Sequence, residues 1–361
     1  MTLWISVTGH QLRKHIISDV VLPIHRLGLM HKPFISVISI TYQRKEFINQ
    51  AITSALEQTL SREFYEIILV TDVDVDEQLI AKGNVIVLHS SERDVGAKVA
   101  MALDSCAGEV ICLLEDDDLW ERNKLETVFA EFTANSSLGF YHNGWAVIDV
   151  EGRPVSHPVH STGRRIMARI GGVTATGRSL SYAGVRRLVR LNADFNGSSI
   201  SLRKSILAER VEYLRRIRLN YDPFLFYSAI VSGYLIKVDS LILTRYRVHK
   251  KNYSRNLGNT GPSPDYSDFY VIRDMLEHEK GSESSLKSLD CSISDLSIEN
   301  YWVLGIRNRP SLVGSVIRHL RYFTPWEIEY NSLLIGFTLL YLIFPQIGRF
   351  VYMSHYSGDG G

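Results

Sequence analysis

The 361-residue chain has only three cysteines, Cys106, Cys112 and Cys291, and no CxxC pair among them. That excludes a disulfide scaffold or a zinc ribbon and fits a reducing compartment. Charge of either sign is not in excess either: 40 Lys+Arg against 39 Asp+Glu leave +1. A nucleic-acid footprint along the whole chain would be clearly basic, so no nucleic-acid partner is expected. Neither a Gly-x-Gly-x-x-Gly nor a Walker A loop occurs, which removes the dinucleotide and P-loop readings. The apolar run at 1–7 is too short for a signal-peptide core. The Asn-x-Ser sequons at Asn135, Asn196 and Asn252 are therefore expected to be accidental. An apolar share of 45% with 22% charged residues suffices for a buried core.

From residue 34 short β-rich runs alternate with helical stretches. Residues 34–41 form a continuous apolar strand candidate, and Phe47, Ile48, Ile52, Ala55, Leu56 and Leu60 recur at helical spacing. EIILVT at 66–71, NVIVLH at 84–89 and EVICLL at 109–114 are further strands, with a helix expected over 96–105. Unalternated Val/Ile/Leu strands separated by helices predict an α/β fold with a parallel sheet covered on both faces. Residues 140–155 hold two strand-like pieces around a turn at Glu151-Gly152, and 235–246 returns to strand character. NLGNTGPSPDYSD at 256–268 reads as a linker.

Ligands of open parallel sheets bind beyond the carboxyl ends of the strands. Those ends carry Thr41 to Arg44, then Asp72 to Asp74, then Asp94 to Lys98, then Glu115-Asp116-Asp117-Asp118. Four consecutive carboxylates repel one another and need either full solvation or a bound cation. Mg²⁺ and Mn²⁺ prefer such hard oxygen ligands. The competing reading is a solvated acidic turn in which Asp118 caps a helix starting near Leu119. Asp72 to Asp76 is no EF-hand, because Glu77 and Gly83 stand where that loop needs Gly and Glu. Asp72 is either a strand-end carboxylate for a base or ribose, or a loop acid. Trp120 and Trp145 either stack on a sugar or pack the core.

Five segments in order carry a resemblance. ISVISITYQR at 35–44, AITSALEQT at 51–59, EIILVTD at 66–72 and AGEVICLLEDDD at 107–118 closely resemble family 2 glycosyltransferases of the GT-A fold. YRVHKKNYS at 246–254 resembles the end of that catalytic domain. The resemblance implies a Rossmann-like, mostly parallel sheet sandwiched by helices. It also implies inverting transfer of a sugar from a nucleotide-diphosphate sugar, assisted by Mg²⁺ or Mn²⁺.

Carried over by position, Thr41 and Asp72 line the nucleoside pocket, Asp116 approaches the ribose, and Asp117 binds the metal. Asp116 and His249 are the further metal candidates, His249 having a structural role as its alternative. Arg44 and Lys98 either balance phosphate charge or are solvated. The base is expected at NYDPF, 220–224, where only Asp222 is acidic; an N-cap aspartate before Pro223 is the competing reading. Ile40 stands where many members have Pro, Glu115 where many have Asp, and Thr71 where Asp is usual; the last leaves base specificity open.

The expected organisation is an N-terminal extension at 1–33, a catalytic domain at 34–255, the linker at 256–268, and a helical, apolar appendage at 269–361. Within the last, 331–348 has no charged residue or histidine over 18 positions, with Arg307, Arg309, Arg318, Arg321, Tyr322, Phe323 and Trp326 upstream. It reads as an interfacial, re-entrant or spanning segment, or a buried helix. The expected enzyme works at the cytoplasmic face of the cell membrane on a glycan or lipid-phosphate acceptor. Alternatives are a nucleotidyltransferase on a similar scaffold or an inactive sugar-binding scaffold protein. Residues 63–151 hold 19 acidic and 5 basic residues, whereas 153–218 hold 14 basic and 3 acidic. That segregation points to an anionic acceptor on the basic side.

Overall fold

A computed structural model describes residues 32–41, 45–81, 85–156, 161–249, 252 and 267–304, with five single helical positions beyond. Nine strands form one sheet among the described residues, in the order β3-β2-β1-β4-β8-β6-β9-β5, with β7 added on β9. They are β1 Ile35–Ile40, β2 Tyr65–Thr71, β3 Val85–His89, β4 Val110–Glu115, β5 Leu119–Trp120, β6 Leu138–Ile148, β7 Gly172–Thr176, β8 Ile200–Arg203 and β9 Leu235–Arg247. β3, β2, β1 and β4 are parallel, as the Val/Ile/Leu runs imply. Beyond β4 the sheet is mixed: β8 is antiparallel to β4 and β6, β9 is parallel to β6, and β5 and β7 are antiparallel to β9.

The helices are α1 Ile48–Leu56, α2 Glu77–Ala81, α3 Val95–Ser105, α4 Lys124–Ala134, α5 Ser161–Ile170 and α6 Tyr182–Arg190. They continue with α7 Lys204–Ala208, α8 Val211–Leu214, α9 Tyr221–Ser232, α10 Ser267–Glu277 and α11 Glu283–Leu304. Alternate residues of one strand feed two cores. Ile38, Ile68, Val70, Ile111 and Leu113 pack with α3 and α9, while Val37, Ile67, Leu69, Cys112 and Leu114 pack with α1 and α4. Both faces are thus covered, which is why these strands are apolar throughout. Ile48, Ala51, Ile52 and Ala55 supply the buried stripe of α1 at helical spacing.

α10 and α11 share the first core: Phe269, Val271, Ile272, Met275, Leu276 and Leu289 all belong to it. The helical region after 268 is therefore packed into the same body as the strands, and the linker expected at 256–268 lies outside the described residues except for Ser267 and Asp268. The helix expected to start near Leu119 is not there. Leu119–Trp120 is a short strand on β9, and α4 begins at Lys124. The 1–33 extension is described only at its last two residues, and 331–348 only at isolated positions. No helix among the described residues is long and apolar enough to cross a membrane.

Candidate active site

Register places the site. Ile40 of β1 pairs with Val70 of β2 and Glu115 of β4, so the three strands end level with one another. Thr41, Asp72 and Asp116 follow directly and come together on one rim. Lys98, from the first turns of α3, reaches the same place: its buried Nζ donates to Thr41 O at 2.6 Å. Burial lowers its pKa, and the charges of Asp72, Asp116 and Glu92 oppose that. The start of α3 packs directly on the backbone at 214–217 because residue 96 is glycine, where a Cβ would lie 1.9 Å from Leu214 O. Arg44 lies outside the described residues.

The acidic run does not act as a single block. Ligand atoms of Glu115, Asp117 and Asp118 lie within 4.8 Å of one another, whereas Asp116 belongs with Lys98 instead. Asp118 is fully buried and caps no helix; its Oδ1 accepts from Arg247 N–H at 2.9 Å. Burial, then the Asp117 charge, pushes its pKa well above the carboxylate range. Glu115 is raised in the same direction by burial, then by Asp222, Asp118 and Asp117, while a hydrogen bond from the Tyr221 hydroxyl at 3.0 Å opposes the rise. Asp118 Oδ2 is buried with no partner among the described residues. Clustered buried carboxylates with an orphaned oxygen fit a hard divalent cation.

His249 joins this cluster, with Nε2 3.0 Å from Asp117 Oδ2. Its backbone is tied to Asn252, whose amide donates back to Arg247 O at 3.0 Å. Arg247 is the brace between them. Its guanidinium donates to the carbonyls of Asp117 at 2.7 Å and Val150 at 2.8 Å and to Gln50 Oε1 at 2.9 Å, over the Phe47 ring. Beneath the cluster, buried Lys124 donates to Ser198 O at 2.7 Å and Asn143 Oδ1 at 2.6 Å. Burial pushes its pKa down to about 7. Trp120 Nε1 also donates to Ser198 O, and both Trp120 and Trp145 are 4% exposed, so each packs the core.

Asp222 stands in the first turn of α9, where Asn220, not Asp222, is the N-cap. Its Oδ2 accepts from Asn196 N–H at 3.0 Å, with Gly197 N–H as a second donor. Its Oδ1 is buried and has no partner among the described residues. Burial raises its pKa to about 7; the N–H donors oppose the rise and the Asp194 charge adds to it. Asp194, at about 6 for the same first cause, was not legible as a site residue, because nothing in the sequence brings 194 beside 222. Nor were Asn196, Tyr221 and Arg247. Glu115 and Asp118 were visible as part of the run, but the turn at 116–117, which sets Asp116 apart from the other three, was not.

Residues 36–191, somewhat less than half of the chain, match the model of the family described as Glycosyl transferase family 2, and over that segment the chain is similar to it. TuaG of Bacillus subtilis (strain 168), a glycosyltransferase assigned to teichuronic acid biosynthesis, is 30% identical over 141 residues, 36% of this chain and 54% of that protein. An uncharacterized glycosyltransferase of Haemophilus influenzae is 28% identical over 134 residues, 35% of this chain and 52% of that protein. The chain spans about half the length of these curated relatives. The crystal structure of S. aureus TarS 1-349 in complex with UDP-GlcNAc superposes with a TM-score of 0.58 at 15% identity, covering 90% of this chain and 92% of that one. The fold is therefore GT-A.

Proposed function

We propose that the chain is an inverting, metal-dependent glycosyltransferase that moves a sugar from a nucleotide-diphosphate sugar to a hydroxyl of a glycan or lipid-linked acceptor. One observation carries this. A buried carboxylate cluster, Glu115, Asp117 and Asp118, lies beside a second carboxylate, Asp222, whose Oδ1 is buried with no partner among the described residues. The first suits a cation and the second a base. An inactive scaffold gains nothing from either, and a nucleotidyltransferase has no use for the second.

Asp117, Glu115 and Asp118, with His249 at the edge, would hold Mg²⁺ or Mn²⁺. The ion supplies charge to offset that developing on the departing diphosphate. Asp222 Oδ1 takes the acceptor hydroxyl proton while the oxygen attacks the anomeric carbon from the face opposite the diphosphate. The bond from that carbon to the diphosphate oxygen breaks, and its electron pair leaves with the nucleoside diphosphate. Thr41, Asp72, Asp116 and Lys98 surround the nucleotide, Lys98 as the cation nearest the rim. The UDP-GlcNAc bound by TarS supports a UDP-sugar donor, and TuaG's assignment supports an anionic cell-surface polymer. We place the reaction at the cytoplasmic membrane face.

Purified chain incubated with UDP-, GDP- and dTDP-sugars, with and without Mn²⁺, tests this. One donor should turn over only with the cation. Turnover unaffected by EDTA, or retained in Asp117→Ala, sinks the metal role. Asp222→Asn should lose transfer by about 10²–10⁴-fold while still binding donor, and unchanged turnover removes it as the base. Truncation after 330 should release the protein from membranes; a full-length protein already in the soluble fraction ends the membrane assignment.

A further inference from the structure

Asn196 has a backbone of φ 67° and ψ 95°, a left-handed conformation uncommon outside glycine and best tolerated by Asn. Such geometry persists where surrounding contacts fix it. Here they do. The backbone N–H of Asn196 donates to Asp222 Oδ2 at 3.0 Å, and its side-chain Oδ1 accepts from Ser198 N–H at 3.0 Å. The neighbouring Gly197 lies against the Tyr221 ring, where a Cβ would come 1.8 Å from the hydroxyl oxygen. Asn196 is thus the joint between the turn Gly197–Ser199 and the start of α9.

One polar group of Asn196 is left over. Its Nδ2 is buried and has no partner among the described residues, although the residue is only 1% exposed. The bond from Ser198 N–H settles which way the amide points, because only the oxygen can accept it. Asp222 Oδ1 is in the same condition, buried and without a partner among the described residues. A donor and an acceptor are therefore left open on the side chains of two residues already joined through the Asn196 backbone N–H, and they do not satisfy each other. Groups of this kind are rare in native structures, because leaving each one unmade costs free energy. A hydroxyl answers both at once, since it donates one proton and accepts at its lone pairs.

We infer that Asn196 and Asp222 form a two-point site for the acceptor hydroxyl, which rests on the reading of Asp222 as the base. Asn196 Nδ2 donates to one lone pair of the hydroxyl oxygen, and the hydroxyl donates its proton to Asp222 Oδ1. The second lone pair is then the one aimed at the anomeric carbon. As the new C–O bond forms, the proton passes to Asp222 and the old bond's electrons leave with the nucleoside diphosphate. The amide gives direction to a nucleophile that a carboxylate alone would leave free to rotate. Asn196 touches substrate in this arrangement, and it selects for a hydroxyl over an amine. A protonated amine has no lone pair for Nδ2.

The test uses the full chain, the donor nucleotide identified by the panel above, and glycerol as a hydroxyl probe. Asn196→Asp keeps the oxygen that Ser198 needs and the N–H that Asp222 needs and removes the donor, while adding a like charge beside Asp222, so its kinetics are compared above the pH at which Asp222 ionises. Asn196→Gly suits the positive φ and keeps the N–H. Both should lower kcat/KM for glycerol by about tenfold or more, with donor KM within about twofold of wild type. Urea midpoints identify any variant that fails to fold. Wild-type glycerol kinetics in a folded Asn196→Asp and Asn196→Gly overturn the hydroxyl site, including the case in which only an ordered water fills it. If Asp222→Asn turns over normally, the base reading falls instead, so the two failures are told apart.

Discussion

The perturbation that tests the architecture most directly is removal of the Asp268 carboxylate. Asp268 is 1% exposed in the first turn of α10, and it accepts from three consecutive backbone N–H groups, Arg218 at 2.7 Å, Leu219 at 2.9 Å and Asn220 at 2.8 Å. The Asn220 amide adds a fourth donor at 3.1 Å. The same segment receives the first N–H groups of α3, since Val95 donates to Arg218 O and Gly96 to Ile217 O at 2.9 Å each. One carboxylate thus fixes the entry to α9, with Tyr221 and Asp222, and the start of α3, one turn before Lys98.

Hydrogen bonds to a charged group contribute about 1.5–3 kcal/mol each and do not add, so Asp268→Ala should cost about 3–5 kcal/mol. That is a large share of the ~5–15 kcal/mol that holds a domain folded. Asp268→Asn keeps an acceptor for the three donors on Oδ2 and turns its NH₂ toward the single donor on Oδ1, Arg218 N–H, so it should fall between Ala and wild type. Urea unfolding followed by tryptophan fluorescence measures the loss. Transfer kinetics at a temperature where Asp268→Asn is fully folded should still show a reduced kcat. An Asp268→Ala protein within about 1 kcal/mol of wild type refutes the reasoning.

The remaining predictions concern charge. Asp222 must be ionised to act, and its pKa stands at about 7, so kcat/KM should rise with pH through 7; Asp194→Asn should move that limb down by about half to one unit, because it removes a like charge. Between about pH 4 and 7 the unfolded carboxyl releases its proton while the folded one holds it, so stability falls across that range. Asp222→Asn should accordingly be at least as stable as wild type at pH 8 in the same urea assay. Mn²⁺ at 100 times its Kd should add about 2.7 kcal/mol of stability, read as a rise in Tm, and lose that effect in Asp117→Ala. Arg165 and Arg169 are exposed on α5, and replacing both with Glu should weaken binding of anionic acceptor vesicles and flatten its salt dependence. Unchanged binding at about 50 mM salt removes them from the acceptor side.

The parallel half of the sheet was readable because burial on both faces leaves a continuous apolar run, and Ile35–Ile40, Tyr65–Thr71 and Val110–Glu115 have that composition. The rim residues followed from the rule that strands deliver their next residues to one edge. The antiparallel half was not readable, since β8 lies between β4 and β6 while following both in the chain. Asp194, Asn196 and Asp222 meet across that insertion. Their pairing is a long-range consequence of packing that no local period encodes. Asp118 illustrates the limit at short range: an aspartate before Leu-Trp has the look of a helix cap, yet the partner that claims it is the backbone N–H of Arg247, 129 residues away.

The charge segregation read from the sequence takes on a different meaning in the fold. Much of the basic stretch is spent on contacts within the protein, several of them to the C-terminal helices. Arg186 donates to Ser288 O and Ser292 Oγ on α11, Arg210 meets Glu279 at 2.6 Å, and Arg216 meets Asp274 at 2.7 Å. Arg178 and Arg203 are occupied by the carbonyls of Val231 and Leu138. An excess of +11 over 153–218 therefore overstates what faces a substrate. The acidic stretch shows the converse, because Glu115, Asp117 and Asp118 converge on one point instead of dispersing into solvent. Repulsion there is relieved by protonation of Glu115 and Asp118 or by a bound cation, whereas the arginines named above already have their partners. Of the two halves, the acidic one carries the functional signal, and the case for an anionic acceptor narrows to those arginines of the stretch that are exposed, Arg169 of α5 among them.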